Sequence, residues 1–419
     1  MTMSMRQSKL FTKTKKESPA DEVSLNAELL IKAGFIDKEM AGVYSYLPLG
    51  LRVLNKIQDI IRDEMNMIGG QEISLTALQD KALWEKTDRW DDEKVDIWFK
   101  TKLKNDTELG LGFSHEEPLT RMLTNFVSSY RDLPFSAYQF QTKFRNETRA
   151  KSGIMRTREF IMKDMYSFAK DEAEHNAFYE QAQNAYKNIF KRIGIGHVTY
   201  MTFASGGIFS KYSHEYQTVT GAGEDTIYID ENKGIAINQE VYTDEVIESL
   251  GLSKDTLVET RAAEVGNIFT LATRFSDALN LKYQTETGEE KSVFMGCYGI
   301  GPARLMGTVV EVLSDDKGII WPESIAPFKV HLLLLGDDQA VIEEAESLYM
   351  QLQNRKVEVL FDDRSDTSAG EKFADADLIG IPYRVVISKR SLADGGYELK
   401  KRTEPNGKIV TMEELISHV

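Results

Sequence analysis

The sequence contains one cysteine, no long apolar run and fewer basic than acidic residues. With Cys297 as the single cysteine, no disulfide can form within the chain, and we expect a reducing compartment, the cytoplasm. No stretch approaches the roughly 18 consecutive apolar residues of a membrane-spanning helix. The lysines near the N-terminus are not followed by the apolar block of a secretory signal. We therefore expect no membrane association.

The formal net charge of −15 argues against indiscriminate nucleic-acid binding, which normally depends on a basic surplus. Two local stretches, residues 143–163 and 384–402, are nevertheless rich in lysine and arginine. Either stretch could be an ordinary solvated surface, and either is also a candidate site for phosphate or RNA. The charge distribution therefore leaves selective contact with RNA open.

The predicted elements change in character near residue 325. Residues 110–168 mix apolar runs with charged turns, which predicts antiparallel strands, and residues 171–193 have the apolar spacing of a helix. Beyond Trp321-Pro322 and Ala326-Pro327, strands and helices alternate, which predicts a small α/β domain. We expect a flexible N-terminal arm at 1–20, a large domain at 21–325 and a C-terminal domain at 326–419.

Two motifs contain the residue types that a nucleoside triphosphate site requires. In the first, Phe144-Arg145-Asn146-Glu147 precedes Arg156 and Phe160. An arginine could meet the α-phosphate, a carboxylate could accept from the adenine amine, and the ring could stack on the base. On its own, the same segment is also compatible with plain strands that carry surface ion pairs.

The second motif is Gly296-Cys-Tyr-Gly299-Ile-Gly301-Pro-Ala-Arg304, followed by an apolar run. Its glycines would let a strand approach a ligand closely and pass into a helix with Arg304 on the first turn. The dinucleotide-binding fingerprint does not fit, because Arg304 stands where glycine is required and Pro302 interrupts it. Taken alone, the motif is typical of an ordinary turn between a strand and a helix.

Both motifs together, in this order, resemble motifs 2 and 3 of the class II aminoacyl-tRNA synthetases. Further segments are similar to bacterial prolyl-tRNA synthetases: YSYLPLG from Tyr44, QTKFR from Gln141, MRTREFIMKD from Met155, GIIWP from Gly318 and FADADLIGIP from Phe373. The resemblance implies an α+β catalytic domain on a mostly antiparallel sheet flanked by helices, followed by an α/β anticodon-binding domain. It also implies an ATP- and Mg²⁺-dependent ligase that joins proline to tRNA(Pro), acting as a cytoplasmic homodimer.

The resemblance further implies roles for individual residues. Arg145 and Arg304 would be catalytic, and ATP would be bound by Arg145, Glu147, Arg156, Phe160, Gly299, Gly301 and Arg304. Proline would be bound by Ser114, Glu116, Asp164, Tyr166, His214 and Cys297. The tRNA would contact Lys389, Arg390, Lys400, Lys401 and Arg402, and no metal ligand is identified.

Two of these proline-site segments have alternative interpretations. Ser114-His115-Glu116 lies where the family has a Thr-x-Glu loop that receives the secondary amine of the substrate. Without that context, Ser-x-Glu is a common helix-capping pattern. An isolated pair such as His214-Glu215 is more often a buried, hydrogen-bonded histidine than a ligand-binding residue.

Three departures from the family pattern matter. Thr76 replaces the proline of motif 1, which weakens the expectation of a homodimer. Asn267 and Ala272 replace a histidine and a glycine in a strand of the substrate site. A short bridge, about residues 240–260, occupies the place of a large editing domain. The resemblance therefore implies an enzyme without cis-editing, which would depend on a separate deacylase to clear mischarged alanine.

Two alternatives remain open from the sequence. A sister enzyme, such as the threonyl or glycyl synthetase, shares the class II motifs. The threonyl enzyme binds zinc through a cysteine and histidines in its substrate site, whereas Cys297 lies in a glycine-rich strand. A catalytically silent relative would typically have lost motif residues, but Arg145, Glu147 and Arg304 are present. Amino-acid-dependent pyrophosphate exchange distinguishes the three interpretations.

Overall fold

The computed structural model describes residues 4–17, 22–148, 152–206 and 212–419. The chain divides into two compact units. The large unit consists of residues 40–43 and 58–308, and the terminal unit consists of residues 1–39, 44–57 and 309–419. In the part of the chain described here, no helix combines the length and the apolar character needed to cross a membrane.

The helices, in chain order, are α1 (Leu25–Lys32), α2 (Pro48–Met67), α3 (Lys81–Glu85), α4 (Glu116–Leu123), α5 (Glu172–Arg192), α6 (Asp244–Ser249), α7 (Arg274–Leu279), α8 (Pro302–Val312), α9 (Gln339–Asn354), α10 (Ala369–Ile379), α11 (Lys389–Ala393) and α12 (Met412–His418). The strands are β1 (Ser4–Arg6), β2 (Ile36–Met40), β3 (Val43–Tyr46), β4 (Gly70–Glu72), β5 (Leu78–Asp80), β6 (Phe99–Lys102), β7 (Glu108–Leu111), β8 (Phe135–Phe144), β9 (Glu159–Ala169), β10 (Thr199–Ser205), β11 (Tyr212–Val219), β12 (Asp225–Asp230), β13 (Ile235–Asn238), β14 (Val258–Ala272), β15 (Lys282–Gln284), β16 (Glu290–Ser292), β17 (Phe294–Ile300), β18 (Ser314–Asp315), β19 (Gly318–Ile319), β20 (Val330–Leu334), β21 (Val359–Asp362), β22 (Tyr383–Ile387), β23 (Tyr397–Lys401) and β24 (Lys408–Val410).

The large unit is built on a sheet with the strand order β11-β10-β13-β12-β14-β17-β9-β8-β4. Its strands pair antiparallel except for β10 with β13 and β4 with β8. In the register of the central strands, Tyr166 pairs with Cys297 and Asp164 pairs with Gly299. Since cross-strand partners point to the same face of a sheet, this register gathers the side chains of both sequence motifs on one face.

Helix α5 covers the opposite face of this sheet. Asp171 caps its first turn by accepting a hydrogen bond from the backbone N–H of Glu174 at 2.9 Å. The buried amine of Lys163 donates to the Tyr186 hydroxyl of α5 at 2.8 Å and to the Tyr298 carbonyl at 2.9 Å. Burial lowers the pKa of Lys163 to about 7. Helix α5 therefore holds β9 and β17 on one face, while α4 and α7 pack against part of the other.

The terminal unit contains a sheet with the order β1-β21-β20-β22-β23-β24. The first four of these strands are parallel, and β23 and β24 are antiparallel. Val330, Leu332, Phe361 and Val385 lie in its core together with Leu348 of α9, and all five are fully buried. The alternation of strands and helices expected for the C-terminal domain is therefore present.

The N-terminal segment differs from the expected flexible arm at residues 1–20, of which 1–3 and 18–20 lie outside the described residues. Ser4–Arg6 form an edge strand that pairs parallel with β21. Arg6 donates to Glu346 at 2.7 and 2.6 Å and to Asp363 at 3.2 Å. The sequence gives little sign of this strand, because three residues are too few to show a hydrophobic period.

Candidate active site

One cavity opens on the face of the large sheet that α5 does not cover. It contains about 940 Å³ of space free of protein atoms, including solvent at its mouth. Its lining includes residues from both sequence motifs: Ser114, Glu116, Arg145, Glu147, Arg156, Phe160, Asp164, Tyr166, Cys297, Gly299, Gly301 and Arg304. An adjoining pocket is lined by the same arginines, Arg145, Arg156 and Arg304. Glu116 and the residues around it do not line this second pocket. The structure therefore brings together residues that are up to 190 positions apart in the sequence.

Glu116 forms the buried acidic part of the cavity. It is the first residue of α4, and its Oε2 accepts from the Ser114 hydroxyl at 2.5 Å. Its Oε1 lies 3.6 Å from the Cys297 sulfur and 3.4 Å from the Tyr166 hydroxyl. Burial favours the neutral acid, but the charge of Arg89 and the Ser114 hydroxyl outweigh burial, so the pKa of Glu116 lies below its ordinary value.

Asp164 is the second buried carboxylate of the cavity. Its Oδ2 accepts from the Tyr166 hydroxyl at 2.9 Å, from Gln139 at 3.0 Å and from the Lys143 amine at 2.8 Å. Burial would raise the pKa of Asp164, but the charge of Lys143 is among the effects that hold it below the ordinary value. Within the described residues, its Oδ1 is buried and has no hydrogen-bond partner. Asp164 as a whole lines the cavity.

Tyr166 and Cys297 are neutral partners in this region. Burial raises the pKa of both side chains well above their ordinary values, and the two nearby carboxylates reinforce the shift. The Cys297 thiol is therefore protonated at neutral pH and does not act as a nucleophile. The cavity combines two ionised carboxylates with neutral hydrogen-bonding groups, which suits a small cationic substrate group.

The arginines form the opposite, cationic part of the site. Arg145 follows β8, and its guanidinium lies 5.4 Å from the centre of the Phe160 ring. Burial lowers the pKa of Arg145, and the charge of Arg304 lowers it further. Arg304, on the first turn of α8, is held by Glu264 at 2.7 Å and by the Met155 carbonyl at 2.9 Å. Two guanidinium groups that repel each other favour an anion nearby.

Arg156 connects the first motif to the adjoining pocket. It donates to Glu147 at 3.0 and 2.8 Å and forms an ion pair with Glu224. Glu224 also accepts from the Ser152 hydroxyl at 2.7 Å. Arg156 is therefore already oriented by two carboxylates, and phosphate oxygens could replace either of them.

Glycine at position 299 keeps the cavity open. A Cβ atom built at Gly299 would meet its nearest neighbour, the Met162 sulfur, only at 3.9 Å. Any larger side chain at this position would therefore extend into the cavity. At Gly296, by contrast, a Cβ would come within 2.5 Å of the Tyr298 hydroxyl on the opposite face. The missing side chain at Gly299 leaves space for a ligand. The missing side chain at Gly296 allows close packing around the Tyr298 hydroxyl.

Two of the residues predicted for ligand binding lie elsewhere. His214 does not line the cavity. It lines a separate surface pocket, where its Nδ1 is 2.9 Å from the Tyr179 hydroxyl. Arg402 is only 9% exposed and forms an ion pair with Asp315 at 2.5 Å, so it does not present its charge to solvent. The sequence showed the charge of Arg402 but not that the turn after β23 buries it.

The other candidates for tRNA contact are accessible. The side chains of Lys389 and Arg390, on α11, are 86% and 93% exposed. Lys401 is exposed and Lys400 is partly exposed, both on β23. All four belong to the terminal unit, and their contacts with acidic neighbours are long, as in the 3.7 Å pair of Lys389 with Asp338.

Several site residues were not identified from the sequence. Lys143 and Gln139 contact Asp164, and Arg89 contacts Glu116 at 3.1 Å. Glu264 lines the cavity beside Arg304, next to Asn267, which the sequence had already placed in a strand of the substrate site. Lys143 is part of the QTKFR segment, so its position was a usable signal. Arg89 and Glu264 come from segments that join the site only through tertiary packing.

Comparison with protein families agrees with this geometry. Residues 99–313 match the family described as tRNA synthetase class II core domain (G, H, P, S and T). Residues 325–419 match the family described as Anticodon binding domain. Fold and site together define a class II aminoacyl-tRNA synthetase, and the predicted fold class is confirmed.

Individual relatives identify the family more closely. Proline–tRNA ligase from Anaplasma phagocytophilum is 36% identical over 430 residues, covering 99% of this chain and 100% of that protein. The Agrobacterium fabrum proline–tRNA ligase is 36% identical over 437 residues, covering 98% of each. The chain belongs to the proline–tRNA ligase family, as the sequence motifs predict, and is an ATP-dependent aminoacyl-tRNA synthetase.

A solved structure shows the same fold. Giardia lamblia prolyl-tRNA synthetase in complex with prolyl-adenylate superimposes with a TM-score of 0.78, covering 94% of this chain and 75% of that chain. The sequence identity is 18%, so this likeness concerns the arrangement of the backbone.

Proposed function

We propose that this chain activates proline with ATP to prolyl-adenylate and transfers the prolyl group to the 3′ end of tRNA(Pro). The observation that supports this most strongly is the charge distribution of one cavity. Buried carboxylates, Glu116 and Asp164, are joined in its lining by Arg145 and Arg304 from two distant segments. A zwitterionic amino acid and a triphosphate have the complementary charges.

The proline end of the site is the group of Ser114, Glu116, Asp164, Tyr166 and Cys297. Glu116 Oε1 and the unpartnered Asp164 Oδ1 are the acceptors for the two hydrogens of the secondary ammonium. Ser114 supplies the hydroxyl that the family's threonine would give, and it orients Glu116 at 2.5 Å. His214 is not part of this proposal, because it lies in a different pocket.

The ATP end of the site is the group of Arg145, Glu147, Arg156, Phe160 and Arg304. The proline carboxylate attacks the α-phosphorus, a new P–O bond forms, and pyrophosphate leaves. The nucleophile is already anionic, so this step needs no side-chain base. Arg145, Arg156 and Arg304 would hold the phosphates in line and stabilise the charge of the pentacovalent phosphorus. Phe160 would stack on the adenine, with Gly299 and Gly301 leaving space for the nucleotide.

Glu264 and Asn267 fit the Mg²⁺ ion that this reaction implies. Asn267 Nδ2 donates to Glu264 at 3.1 Å, and Asn267 Oδ1 is a buried oxygen without a partner in the described part of the chain. Mg²⁺ prefers oxygen ligands, commonly one or two from protein together with phosphates. These two side chains would hold the ion, which would neutralise charge on the triphosphate.

The test of this function is ATP–pyrophosphate exchange across a panel of amino acids. We expect exchange with proline, and little with threonine or glycine. A preference for threonine or glycine would contradict the substrate assignment. Absence of exchange with every amino acid, in protein shown to be folded by its thermal transition, would favour a catalytically silent relative.

We also propose that the enzyme has no cis-editing activity. Between β13 and β14 the chain forms only short helical turns and α6, whose Val246 and Ile247 pack against Ile237 and Val241. This bridge leaves no room for a separate hydrolytic domain. A substrate pocket gains only ~1–3 kcal/mol of discrimination per methylene, so alanine should sometimes be activated.

The editing proposal predicts that Ala-tRNA(Pro) persists in the presence of the purified enzyme. The measurement is the decay of labelled Ala-tRNA(Pro) with and without enzyme, and we expect the same rate in both. Addition of a trans-editing deacylase is the positive control, because it should accelerate the decay. Hydrolysis by the enzyme alone would contradict the proposal.

We propose that residues 21–325 are the catalytic domain and that residues 326–419 are the anticodon-binding domain. We also propose that the enzyme is a homodimer in the cytoplasm. The exposed side chains of Lys389, Arg390 and Lys401, with Lys400, would contact the tRNA backbone. Arg402 is excluded from this set by its burial.

A further inference from the structure

Arg89 is a buried cation close to the proline end of the site, although it does not line the cavity. Only 2% of its surface is exposed. Its guanidinium carbon lies 5.1 Å from the ring centre of Trp84, 5.0 Å from that of Phe113 and 5.3 Å from that of Phe275. Aromatic faces are good neighbours for a guanidinium that has lost its water.

Hydrogen bonds also hold the backbone of Arg89 in place. The indole N–H of Trp98 donates to the Arg89 carbonyl at 2.8 Å. The Arg89 N–H donates to the Trp84 carbonyl at 3.1 Å. Trp84 and Trp98 pack edge to face with ring centres 4.8 Å apart. The sequence therefore places several of its large aromatic residues around one guanidinium group.

The charged partners of Arg89 are the first two residues of α4. Its Nη1 donates to Glu116 Oε2 at 3.1 Å and to Glu117 at 2.9 and 3.0 Å. Glu117 is fully buried and also accepts from the Thr87 hydroxyl at 2.8 Å. Burial and the neighbouring Glu116 raise the pKa of Glu117 to about 7, although Arg89 opposes this rise.

The two oxygens of Glu116 have different surroundings. Oε2 is held by Arg89 and by the Ser114 hydroxyl. Oε1 points toward Cys297 and Tyr166, which line the cavity. Without Arg89, burial would favour the protonated acid, which offers fewer acceptor positions and no charge to a cationic amine. The ion pair thus acts together with the Ser114 hydroxyl on the charge and the orientation of the carboxylate.

We propose that Arg89 is a positioning residue for proline activation, which holds Glu116 ionised and turned so that Oε1 faces the substrate's ammonium group. This inference rests on the proposed function, in which Glu116 receives that ammonium. Burying a charge is costly unless it is compensated, and apolar packing alone would not need an arginine here. The arginine and its aromatic surroundings therefore serve the substrate site.

The experiment compares wild type, Arg89→Met, Glu116→Gln and the double variant. Exchange kinetics give KM for proline and for ATP, and inhibition by tetrahydrofuran-2-carboxylate gives its Ki. This analogue has a ring oxygen in place of the amine and carries no cation. We expect Arg89→Met to raise KM for proline at least ~10-fold, the effect of one lost charged hydrogen bond. KM for ATP and Ki for the analogue should stay close to wild type.

The double variant shows whether Arg89 acts through Glu116. In the Glu116→Gln background, the further change Arg89→Met should leave KM for proline unaltered, because the other carboxylate that Arg89 holds, Glu117, does not line the cavity. Arg89→Lys should recover part of the lost proline affinity, since it restores the charge without the planar fork. Arg89→Gln, which is neutral and polar, replaces Arg89→Met if that variant does not fold.

Failure of the proposed role of Glu116 and failure of the proposed role of Arg89 give different results. If Glu116→Gln keeps normal KM for proline, the proposed role of Glu116 is wrong and the inference fails with it. If Glu116→Gln weakens proline binding but folded Arg89→Met or Arg89→Gln does not, only the role of Arg89 is overturned. Equal rises in KM for proline and ATP and in Ki for the analogue would also overturn it, because general damage to the fold would have that effect.

Discussion

At the scale of single residues, the site is organised by charges that are incompletely compensated. Arg145 is half-buried, and its Nε is buried and has no hydrogen-bond partner among the described residues. In the same part of the chain, Asp164 Oδ1 has no partner, although three side chains contact its Oδ2. Buried polar atoms without partners are rare in folded proteins. Here both belong to residues that line the cavity.

Removing the Arg145 guanidinium should therefore impair chemistry rather than folding. For Arg145→Ala we expect proline-dependent ATP–pyrophosphate exchange to fall by at least ~100-fold, the scale of losing one transition-state donor. Relief of the repulsion from Arg304 should offset part of the lost packing, so the thermal midpoint should change little. Arg131→Ala, which removes an exposed arginine of the same unit, is the matched control and should leave exchange unchanged. Near-normal exchange in Arg145→Ala would exclude the proposed role.

Sequence motifs located most of the cavity wall, because each motif is a short run on one strand or turn. Arg145, Glu147, Asp164 and Cys297 all line the cavity as expected. The motifs do not show which other segments of the chain contribute to the site. Arg89 contacts Glu116 of α4 only because its aromatic neighbours hold it there through tertiary packing. His214 was misplaced because a short His-Glu pair does not show which face of the sheet it occupies.

At the scale of elements, the regular segments were the most predictable. The helix expected at residues 171–193 is α5, Glu172–Arg192, and the alternation of strands and helices expected beyond residue 325 includes α9, Gln339–Asn354. The resemblance placed Asn267 and Ala272 in a strand, but the full length of β14 was not predicted. This strand exchanges pairing partners along its length and has irregular register opposite both β11 and β17, so no single alternation runs through it.

Ala272, at the C-terminal end of β14, has a positive φ of 50°. This is the left-handed region, which costs a residue with a Cβ roughly 1–2 kcal/mol. The sequence resemblance suggests glycine at this position, and the backbone gives the physical reason. We predict that Ala272→Gly raises the free energy of unfolding by about 0.5–1 kcal/mol, after the greater flexibility of glycine in the unfolded chain is subtracted.

Urea unfolding measures this effect, and the same substitution in a helix is its control. Ala177 is exposed in α5, where glycine lacks any conformational advantage. Ala177→Gly should therefore lower the free energy of unfolding by about 0.5–1 kcal/mol. Opposite signs at the two positions would support strain at Ala272. Destabilisation by Ala272→Gly would mean that the methyl group contributes more packing than the strain removes.

At the scale of the whole molecule, both units carry buried neutral histidines. Burial lowers the pKa of His115, His175 and His331 to about 4 in each case. In the unfolded chain a histidine titrates near 6.5. Between pH 6.5 and 4 the unfolded chain therefore binds more protons than the folded chain, so stability falls as the pH falls. Above pH 6.5 these histidines add no pH dependence to the free energy of unfolding.

The expected loss is about 3 kcal/mol per histidine by pH 4, because the pKa of each is about 4 in the folded protein and about 6.5 in the unfolded chain. Urea unfolding at pH 7, 6, 5 and 4.5 measures it. His331→Gln should show a smaller difference between pH 7 and pH 4.5 than wild type, whatever its absolute stability. An identical pH dependence in wild type and variant would show that His331 can bind a proton without unfolding.

The edge strand Ser4–Arg6 has a consequence for biosynthesis. Its partner in the sheet, Val359–Asp362, is made more than 350 residues later, as the separation of 353 between the hydrogen-bonded Ser4 and Val357 indicates. Ser4–Arg6 must therefore wait for a partner strand that is synthesised much later. In nascent chains that stop before β21, Ser4–Arg6 have no partner strand. We expect this exposed segment to make prematurely terminated products recognisable to chaperones and proteases.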